Sequence, residues 1–437
     1  MEHYLQNLPC PCGKEHQAAV EDLFIGKGVV AQLPGLIQKY GAARPFLLAD
    51  TNTFAAGGNV VCDLLEKTGI PWSSYVFPQS TPEPDERSVG AAVMHFDPQC
   101  DLVIGIGSGV INDIGKILSN IRGCRYIIVA TAPSMDGYAS ATSSMSMDGL
   151  KVSLPSRCAD GIIGDTDILK TAPDHMLRSG LGDMLAKYVS IAEWRIAHII
   201  TGEYYCQQVA GLIRTAVKKC VDNAAGLLRR EDAALSAVFE GLVIGGIAMA
   251  YAGVSRPASG VEHYFSHVWD MRGLEFGAPV DLHGIQCAIG TRLAVRLYEA
   301  VKKLEPNPET ATAAVKAFDR EGWNETLRAF LGTGAEAMIA QEKKDGKYDP
   351  KKHPARLNRI LENWPQILKI PEEELPSAKT FDSLLESVGL PKDPGYLGID
   401  RDMLRLTFAA TRDIRDKYVL SRLAWDLGLT EDLCRLL

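Results

Sequence analysis

One segment constrains the fold more than any other: the apolar run DLVIGIGSG (101–109) ends in glycines and is followed at once by a helical pattern. This order predicts a buried strand, a tight turn and a helix. Glycines in such a turn let the backbone approach a pyrophosphate, which the N–H groups of a helix N-terminus can bind. The G-x-G-x-x-G spacing is absent because Val110 and Ile111 follow Gly109, so the turn alone is equally compatible with a structural role.

Apolar runs and helical patterns alternate through the first third of the chain. The strand-like runs include PFLLAD (45–50), WSSYVF (72–77) and YIIVATAPS (126–134). Strands that alternate with helices predict a parallel sheet covered on both faces. From about Pro173 onwards, long stretches with helical periodicity replace the strand signals. We therefore predict two domains: an α/β nucleotide-binding domain with a Rossmann-like parallel sheet (1–170) and an all-α domain (171–437).

Composition narrows the functional classes. The 437 residues carry a formal net charge of −8, which argues against a broad nucleic-acid surface because that needs a basic footprint. The N-terminal segment has neither a basic start nor an apolar core, so we expect no secretory signal. The most apolar stretch (238–254) predicts a buried core helix, because it is short of a membrane span. Ten cysteines without a dense framework indicate reduced thiols, and we expect a cytoplasmic protein with no membrane partner.

One pair of cysteines stands out near the start of the chain. Cys10 and Cys12 flank a proline, and His16 follows four residues later. A closed zinc site normally takes four ligands, whereas at most three are in view here. The sequence alone therefore does not predict a metal site in this segment.

Two polar segments follow predicted strands, at the edge where open α/β sheets bind ligands. Asp50 ends the strand PFLLAD, where a carboxylate can accept hydrogen bonds from an adenine ribose and repel a 2′-phosphate. The same residue can instead cap a helix, because Thr51, Asn52 and Thr53 follow it. The loop TAPSMDGYAS (131–140) carries hydroxyls and one carboxylate, and this density of polar groups favours a binding role over a simple turn.

Three of the nine histidines lie close together in the sequence. His263 and His267 are four residues apart on one helical face, and His283 follows. Asp183, in the segment GLGD, is expected near the start of a helix. One carboxylate and two imidazoles form an open site for Zn²⁺, Ni²⁺ or Fe²⁺. A structural reading also stands, in which the histidines are hydrogen-bonded core residues and Asp183 caps its helix or pairs with Lys187.

Five motifs, taken in order, resemble the glycerol-1-phosphate dehydrogenases, particularly their bacterial branch. This family lies within the iron-containing alcohol dehydrogenase superfamily, which also includes dehydroquinate synthase-like enzymes. The motifs are IGSGVINDIGK, TAPSMDGYAS, GLGD, SRPASGVEHYFSH and LHGIQ, and the match extends over about residues 20–300. The resemblance implies a dehydroquinate synthase-like fold. The glycine turn lacks the third glycine that many relatives carry, and nothing is implied for the tail beyond residue 335.

The resemblance also assigns individual residues. It implies that NAD or NADP contacts Asp50, Gly107, Ser108, Gly109, Val110, Ile111, Thr131, Ser134 and Ser140. It implies that one divalent metal, Zn²⁺ or Ni²⁺, is bound by Asp183, His263 and His283. Asp136 and His267, together with Asp183, match substrate-contacting positions and are the expected catalytic residues.

The implied reaction is the reversible, metal-dependent reduction of dihydroxyacetone phosphate by NAD(P)H to sn-glycerol 1-phosphate. The partner is thus a small phosphorylated triose, and we expect a homo-oligomer without nucleic acid. Two alternatives share the fold, a glycerol or polyol dehydrogenase and a dehydroquinate synthase-like cyclase. A non-catalytic protein that binds metal and nucleotide is a more distant alternative. Arg256 and Lys187 are candidate phosphate donors only because they lie near the motifs in the sequence.

Overall fold

The computed structural model describes residues 8–147 and 150–437. Residues 1–7, on which the expectation of no secretory signal partly depends, lie outside the described residues. The chain forms two compact units, the first made of the residues up to Met184 and Gly211–Val254, the second of Leu185–Ala210 and Ser255–Leu437. The division at 170/171 stays a prediction.

The strands lie in the first unit. They are β1 (Leu8–Pro9), β2 (Glu15–His16), β3 (Asp22–Gly26), β4 (Pro45–Asp50), β5 (Ser73–Phe77), β6 (Leu102–Gly107), β7 (Arg125–Ala130), β8 (Thr142–Met147), β9 (Leu150–Pro155) and β10 (Gly161–Asp165). Six of them form a parallel sheet in the order β3-β10-β7-β6-β4-β5, and two antiparallel pairs, β1–β2 and β8–β9, stand apart from it. The predicted parallel sheet is confirmed.

Helices connect the strands and then make up the rest of the chain. They are α1 (Leu33–Lys39), α2 (Thr51–Thr53), α3 (Asn59–Lys67), α4 (Glu86–Met94), α5 (Gly109–Arg122), α6 (Thr166–Leu169), α7 (Asp174–Thr201), α8 (Gln207–Leu227), α9 (Asp232–Ala252), α10 (Val261–Phe276), α11 (His283–Val301), α12 (Pro308–Ala317), α13 (Arg320–Leu331), α14 (Gly334–Asp345), α15 (His353–Glu362), α16 (Trp364–Glu374), α17 (Ala378–Ser387), α18 (Arg401–Thr411), α19 (Leu420–Asp426) and α20 (Thr430–Cys434). A helical region after an α/β sheet is the predicted fold class, which is confirmed.

The central strands are mostly apolar because helices cover both faces of the sheet. Every residue of β4 and β6 is buried. On one face, Leu47, Ile104 and Ile127 pack with α1 and α3 in a single apolar cluster. The strand order changes direction at β4, since β5 and β6 lie on opposite sides of it. Ligands of open α/β sheets bind at such a reversal, beyond the carboxyl ends of the strands.

The predicted core helix is α9. Among the described residues it is the one helix long and apolar enough to cross a membrane, yet 72% of its most apolar window is buried. It belongs to the first unit, where it packs beside β3 and the short 3₁₀ turn Gly137–Ala139. The expectation of a buried core helix is confirmed.

The second unit has its own helical core. Aromatic side chains of α10 contribute to it: Phe265 and Trp269 are buried, with their ring centroids 5.7 Å apart, and Phe408 of α18 stacks on Phe265 at 6.2 Å. At the closest approach of α10 and α11, a Cβ on Gly290 would lie 2.5 Å from the carbonyl oxygen of Glu262. Only glycine therefore allows this spacing, which positions the histidine-bearing ends of the two helices.

Candidate active site

Several of the predicted cofactor residues meet at one edge of the sheet. Asp50 is the last residue of β4, Gly107 is the last residue of β6, and Gly107 pairs with Ala130 at the end of β7. Thr131 follows directly and its backbone N–H donates to the carbonyl of Gly107 over 3.0 Å. The edge thus lies at the strand reversal, where a nucleotide would be expected.

The glycine turn leaves the N-terminus of α5 open to an anion. Ser108 is the N-cap residue, but its side chain makes no cap hydrogen bond and the first turn of α5 has no acidic residue. Gly107 is required for packing, because a Cβ there would lie 2.4 Å from the Cβ of Ile111. Backbone N–H groups at the start of a 14-residue helix, with its dipole, suit a pyrophosphate.

The loop after β7 packs against this turn. The hydroxyls of Ser108 and Ser134 are 2.5 Å apart, and the buried Tyr138 donates to the carbonyl of Ala132 over 2.5 Å. Ser140 is 3.0 Å from the hydroxyl of Thr142. The resemblance implied cofactor contacts for Ser108, Ser134 and Ser140, and that role stays a prediction.

Asp50 has the capping geometry that the sequence left open. Its carboxylate accepts the backbone N–H of Thr53 over 2.8 Å, and the Thr53 hydroxyl accepts the backbone N–H of Asp50 over 3.0 Å. Burial raises the pKa of Asp50, against these hydrogen bonds, which lower it. The cap fixes the carboxylate at the sheet edge and does not exclude a further bond to a ribose.

Asp183 corrects the sequence analysis, which placed it near a helix start. It lies well inside α7, where it is fully buried, and its Oδ2 accepts the backbone N–H of Asp136 over 2.9 Å. Gly180, three residues before Asp183, does not break the helix. It makes room for the neighbouring loop, because a Cβ on Gly180 would lie 1.7 Å from the carbonyl oxygen of Pro133.

The three predicted histidines come together in the second unit. His263 is in the first turn of α10, and His283 is the first residue of α11. Their ring centroids are 5.0 Å apart, and the ring of His267 lies 6.0 Å from that of His283. Candidate ligand atoms of His263, His283 and Cys287 all lie within 4.8 Å of one another, which is a separation that one metal ion can bridge.

Neighbouring side chains orient two of these imidazoles. The Nδ1 atom of His263 lies 2.9 Å from the carboxylate of Glu262. The Nδ1 atom of His283 lies 3.1 Å from the hydroxyl of Ser266, to which Gln286 donates over 3.0 Å. Metal-ligating histidines are usually oriented in this way, with one ring nitrogen held by a hydrogen bond and the other directed at the metal. Nε2 of His283 lies 3.5 Å from Sγ of Cys287.

Sequence reasoning missed two buried groups, Cys287 in the histidine cluster and Glu193 at the start of α10. Burial raises the pKa of Cys287, but His263 and His283 outweigh it and the pKa lies below its ordinary value. Glu193 accepts the backbone N–H of Val261 over 2.8 Å, which anchors the start of α10. Burial, and then the charge of Glu262, raise the pKa of Glu193 to about 8. The spacing of His283 and Cys287, four residues apart on α11, could have indicated the thiol.

The two candidate phosphate donors are both deeply buried. Arg256 donates to the carbonyl of Tyr418 and to Glu203, each over 2.9 Å, so its guanidinium already has structural partners. Lys187 is fully buried in α7. Neither observation identifies a phosphate site.

Comparison of the sequence with known proteins assigns the chain to a family. Residues 24–173 match the model of the iron-containing alcohol dehydrogenases. A glycerol-1-phosphate dehydrogenase [NAD(P)+] of Halalkalibacterium halodurans is 32% identical over 302 residues, which cover 68% of this chain and 76% of the relative. The chain belongs to the glycerol-1-phosphate dehydrogenase family of the iron-containing alcohol dehydrogenases.

Other members of the family extend the match. A glycerol-1-phosphate dehydrogenase [NAD(P)+] of Bacillus licheniformis is 29% identical over 428 residues, covering 97% of this chain and 94% of the relative. The structure of a glycerol dehydrogenase from Schizosaccharomyces pombe is similar with a TM-score of 0.60 at 16% identity, covering 95% and 90% of the two chains. The match to the Bacillus licheniformis protein includes the tail beyond residue 335, and the similarity to the Schizosaccharomyces pombe structure shows the fold. The chain is therefore an oxidoreductase of this family, for which NAD(P) and a divalent metal are expected.

Proposed function

We propose that this family member reduces dihydroxyacetone phosphate to sn-glycerol 1-phosphate with NAD(P)H and one divalent metal. The histidine cluster carries the proposal, because the rings of His263 and His283 lie 5.0 Å apart and each has its Nδ1 atom held by a neighbouring side chain. The proposed substrate is taken from the relatives, which are glycerol-1-phosphate dehydrogenases. The glycine turn and the sheet edge supply a place for the cofactor.

The donor set fits a divalent ion. The ring nitrogens of His263 and His283 are borderline ligands that both Zn²⁺ and Ni²⁺ accept, and the resemblance adds the carboxylate of Asp183 as the third ligand. Three protein ligands leave a position for the substrate oxygen. A metal bound there would act as a Lewis acid that polarises the ketone for hydride transfer from NAD(P)H.

In this proposal, the cofactor binds at the sheet edge formed by the carboxyl ends of β4, β6 and β7. The N-terminus of α5, with Gly107 to Ile111, binds the pyrophosphate, and the hydroxyls of Thr131, Ser134 and Ser140 make further contacts. Asp50 accepts hydrogen bonds from the adenine ribose. Because its carboxylate would repel a 2′-phosphate, we propose a preference for NAD over NADP.

Asp136 and His267 act on the substrate. The backbone N–H of Asp136 donates to Asp183 over 2.9 Å, which holds the loop that carries the half-buried side chain of Asp136. An imidazole titrates in the range needed for proton transfer, and His267 would orient the substrate or supply the proton that completes the reduction.

The test is a comparison of ketones in a metal-controlled assay. Chelated protein would be resupplied with Zn²⁺ or Ni²⁺, and NADH absorbance would be followed with dihydroxyacetone phosphate or free dihydroxyacetone. We expect oxidation of NADH only with metal and at least tenfold higher kcat/KM for the phosphorylated ketone. The product should resist an enzyme specific for sn-glycerol 3-phosphate. Faster turnover of the free ketone would replace the proposal with a polyol dehydrogenase.

We further propose that the enzyme works in the cytoplasm as a homo-oligomer. All ten cysteines are present as thiols, as expected for a reducing compartment. Sedimentation at the concentration of the activity assay would determine the oligomeric state, and a monomer that turns over fully would contradict this part.

A further inference from the structure

The two short strands at the start of the described chain form a hairpin that brings two thiols and an imidazole together. In β1 and β2, Leu8 pairs with His16 in an antiparallel register. The connecting turn contains Cys10 and Cys12 and closes with a hydrogen bond from the N–H of Gly13 to the carbonyl of Cys10 over 3.0 Å. Gly13 has a φ of +83°, a conformation that favours glycine. The turn thus places both sulfur atoms on the same side as His16.

The separations match those in a tetrahedral zinc site. Candidate ligand atoms of Cys10, Cys12 and His16 all lie within 4.8 Å of one another. The Sγ atom of Cys12 is 3.4 Å from Nε2 of His16. With Zn–S near 2.3 Å and Zn–N near 2.0 Å, tetrahedral geometry places sulfur and nitrogen ligands about 3.5 Å apart.

The imidazole is oriented as a ligand. Nδ1 of His16 lies 3.1 Å from the carbonyl oxygen of Tyr251, and since a carbonyl only accepts, Nδ1 carries the proton. The lone pair is then on Nε2, which faces the thiol of Cys12. The ring also stacks on Tyr251 with 5.2 Å between centroids and is 3% exposed. The hydrogen bond from Nδ1 to the Tyr251 carbonyl is independent of the thiols and is typical of metal-bound histidine.

We propose that Cys10, Cys12 and His16 bind a zinc ion that fixes the N-terminal hairpin against the end of α9. This ion is separate from the metal proposed for the histidine cluster, and its role is structural. Two thiolates and an imidazole select Zn²⁺ over Mg²⁺ or Ca²⁺, which prefer oxygen ligands. Tyr251 and Ala252 at the end of α9 already receive hydrogen bonds from His16 and from Lys14, the latter over 3.2 Å, so the ion would lock an existing contact. The fourth ligand would be one further side chain or a water molecule.

The first test counts metal in the full-length chain. Protein produced with zinc would be passed over a chelating resin and analysed for zinc per chain, as wild type, Cys12→Ser, His16→Ala and the control Cys124→Ser. We expect each hairpin variant to lose one equivalent and to unfold at a lower temperature. The control, whose thiol belongs to no such cluster in the described chain, should keep the wild-type content. Full zinc content in both hairpin variants would overturn the proposal.

A second measurement does not depend on the folding of those variants. Zinc K-edge absorption of wild-type protein should show sulfur scattering near 2.3 Å. Because Cys287 lies beside the histidine cluster, the same spectrum is needed for Cys287→Ser. Sulfur scattering in both samples supports the hairpin site, and its absence from wild type or from Cys287→Ser overturns it. Serine replacement of the other cysteines, one at a time, would identify a thiol as fourth ligand.

Discussion

Alanine at Gly290 would separate the two helices that carry His263 and His283. The new Cβ would lie 2.5 Å from the carbonyl oxygen of Glu262, and ordinary contact begins at 3.4 Å. The backbones of α10 and α11 must therefore move apart by about 0.9 Å, because no flexible side chain can yield. Metal–ligand distances tolerate only about ±0.2 Å, so the site would lose its geometry. We expect a loss in metal affinity of at least about tenfold, similar to the loss of an orienting partner.

The same substitution should also lower stability, by about 1–3 kcal/mol, as overpacking of a core usually does. Gly90→Ala in α4 is the matched control: its Cβ meets nothing within 4 Å, and removing a helical glycine should stabilise by about 0.5–1 kcal/mol. Metal content after equilibration with a competing chelator, and urea unfolding of both variants, would measure the two effects. Wild-type metal affinity and stability in Gly290→Ala would refute the assignment of α10 and α11 as the ligand-bearing pair.

Three further substitutions test other parts of the molecule. Asp50→Ser keeps a helix cap but removes the charge that would bind a ribose. The kcat/KM for NADH should therefore fall by about 10–100-fold, with little change for NADPH. An equal fall for both cofactors would contradict the proposed contact of Asp50 with the ribose. Gly180→Ala places a Cβ 1.7 Å from the carbonyl of Pro133, in the loop proposed to contact the cofactor, so NADH affinity measured by fluorescence should fall at least about tenfold. An unchanged NADH affinity would contradict the proposed role of that loop. The pKa of Glu193 is raised to about 8 in the folded chain, which therefore holds a proton that the unfolded chain releases above about 4.5, so the free energy of unfolding should fall as pH rises between these values. Glu262→Gln removes the neighbouring charge and should make this fall less steep in urea unfolding. An unchanged pH dependence in Glu262→Gln would exclude the coupling.

The alternation of strands and helices could be predicted from the sequence because it depends on local periodicity. The sheet edge followed from the same pattern, since the carboxyl ends of parallel strands share one edge. The sequence alone therefore predicts that Asp50 and Gly107 lie at the same edge of the sheet. In contrast, the segment GLGD suggested a helix start because glycine lowers helix propensity. In the structure Gly180 lies inside α7, where the close approach of Pro133 requires it, and such a contact leaves no local signal.

The histidine cluster shows the same limit. The spacing of His263 and His267 indicated one helical face, but the contact with His283 depends on how α10 packs on α11. The buried Glu193 reaches the start of α10 from a distant helix, and nothing near it in the sequence indicates this. The region 341–368 has the charged composition of a solvated loop, but it is a loop only between α14 and α15. Composition alone does not show that charged residues of this region such as Glu342 and Lys347 are buried.

The most direct test of the account is bound metal and turnover measured together in His263→Ala. The control is His95→Ala, a histidine on the first unit whose ring stacks on Tyr75 at 4.1 Å. The account predicts that His263→Ala loses one equivalent of metal and its NADH oxidation with dihydroxyacetone phosphate, while His95→Ala keeps both. A His263→Ala variant that retains full metal and normal turnover would contradict the assignment of the histidine cluster as the catalytic centre.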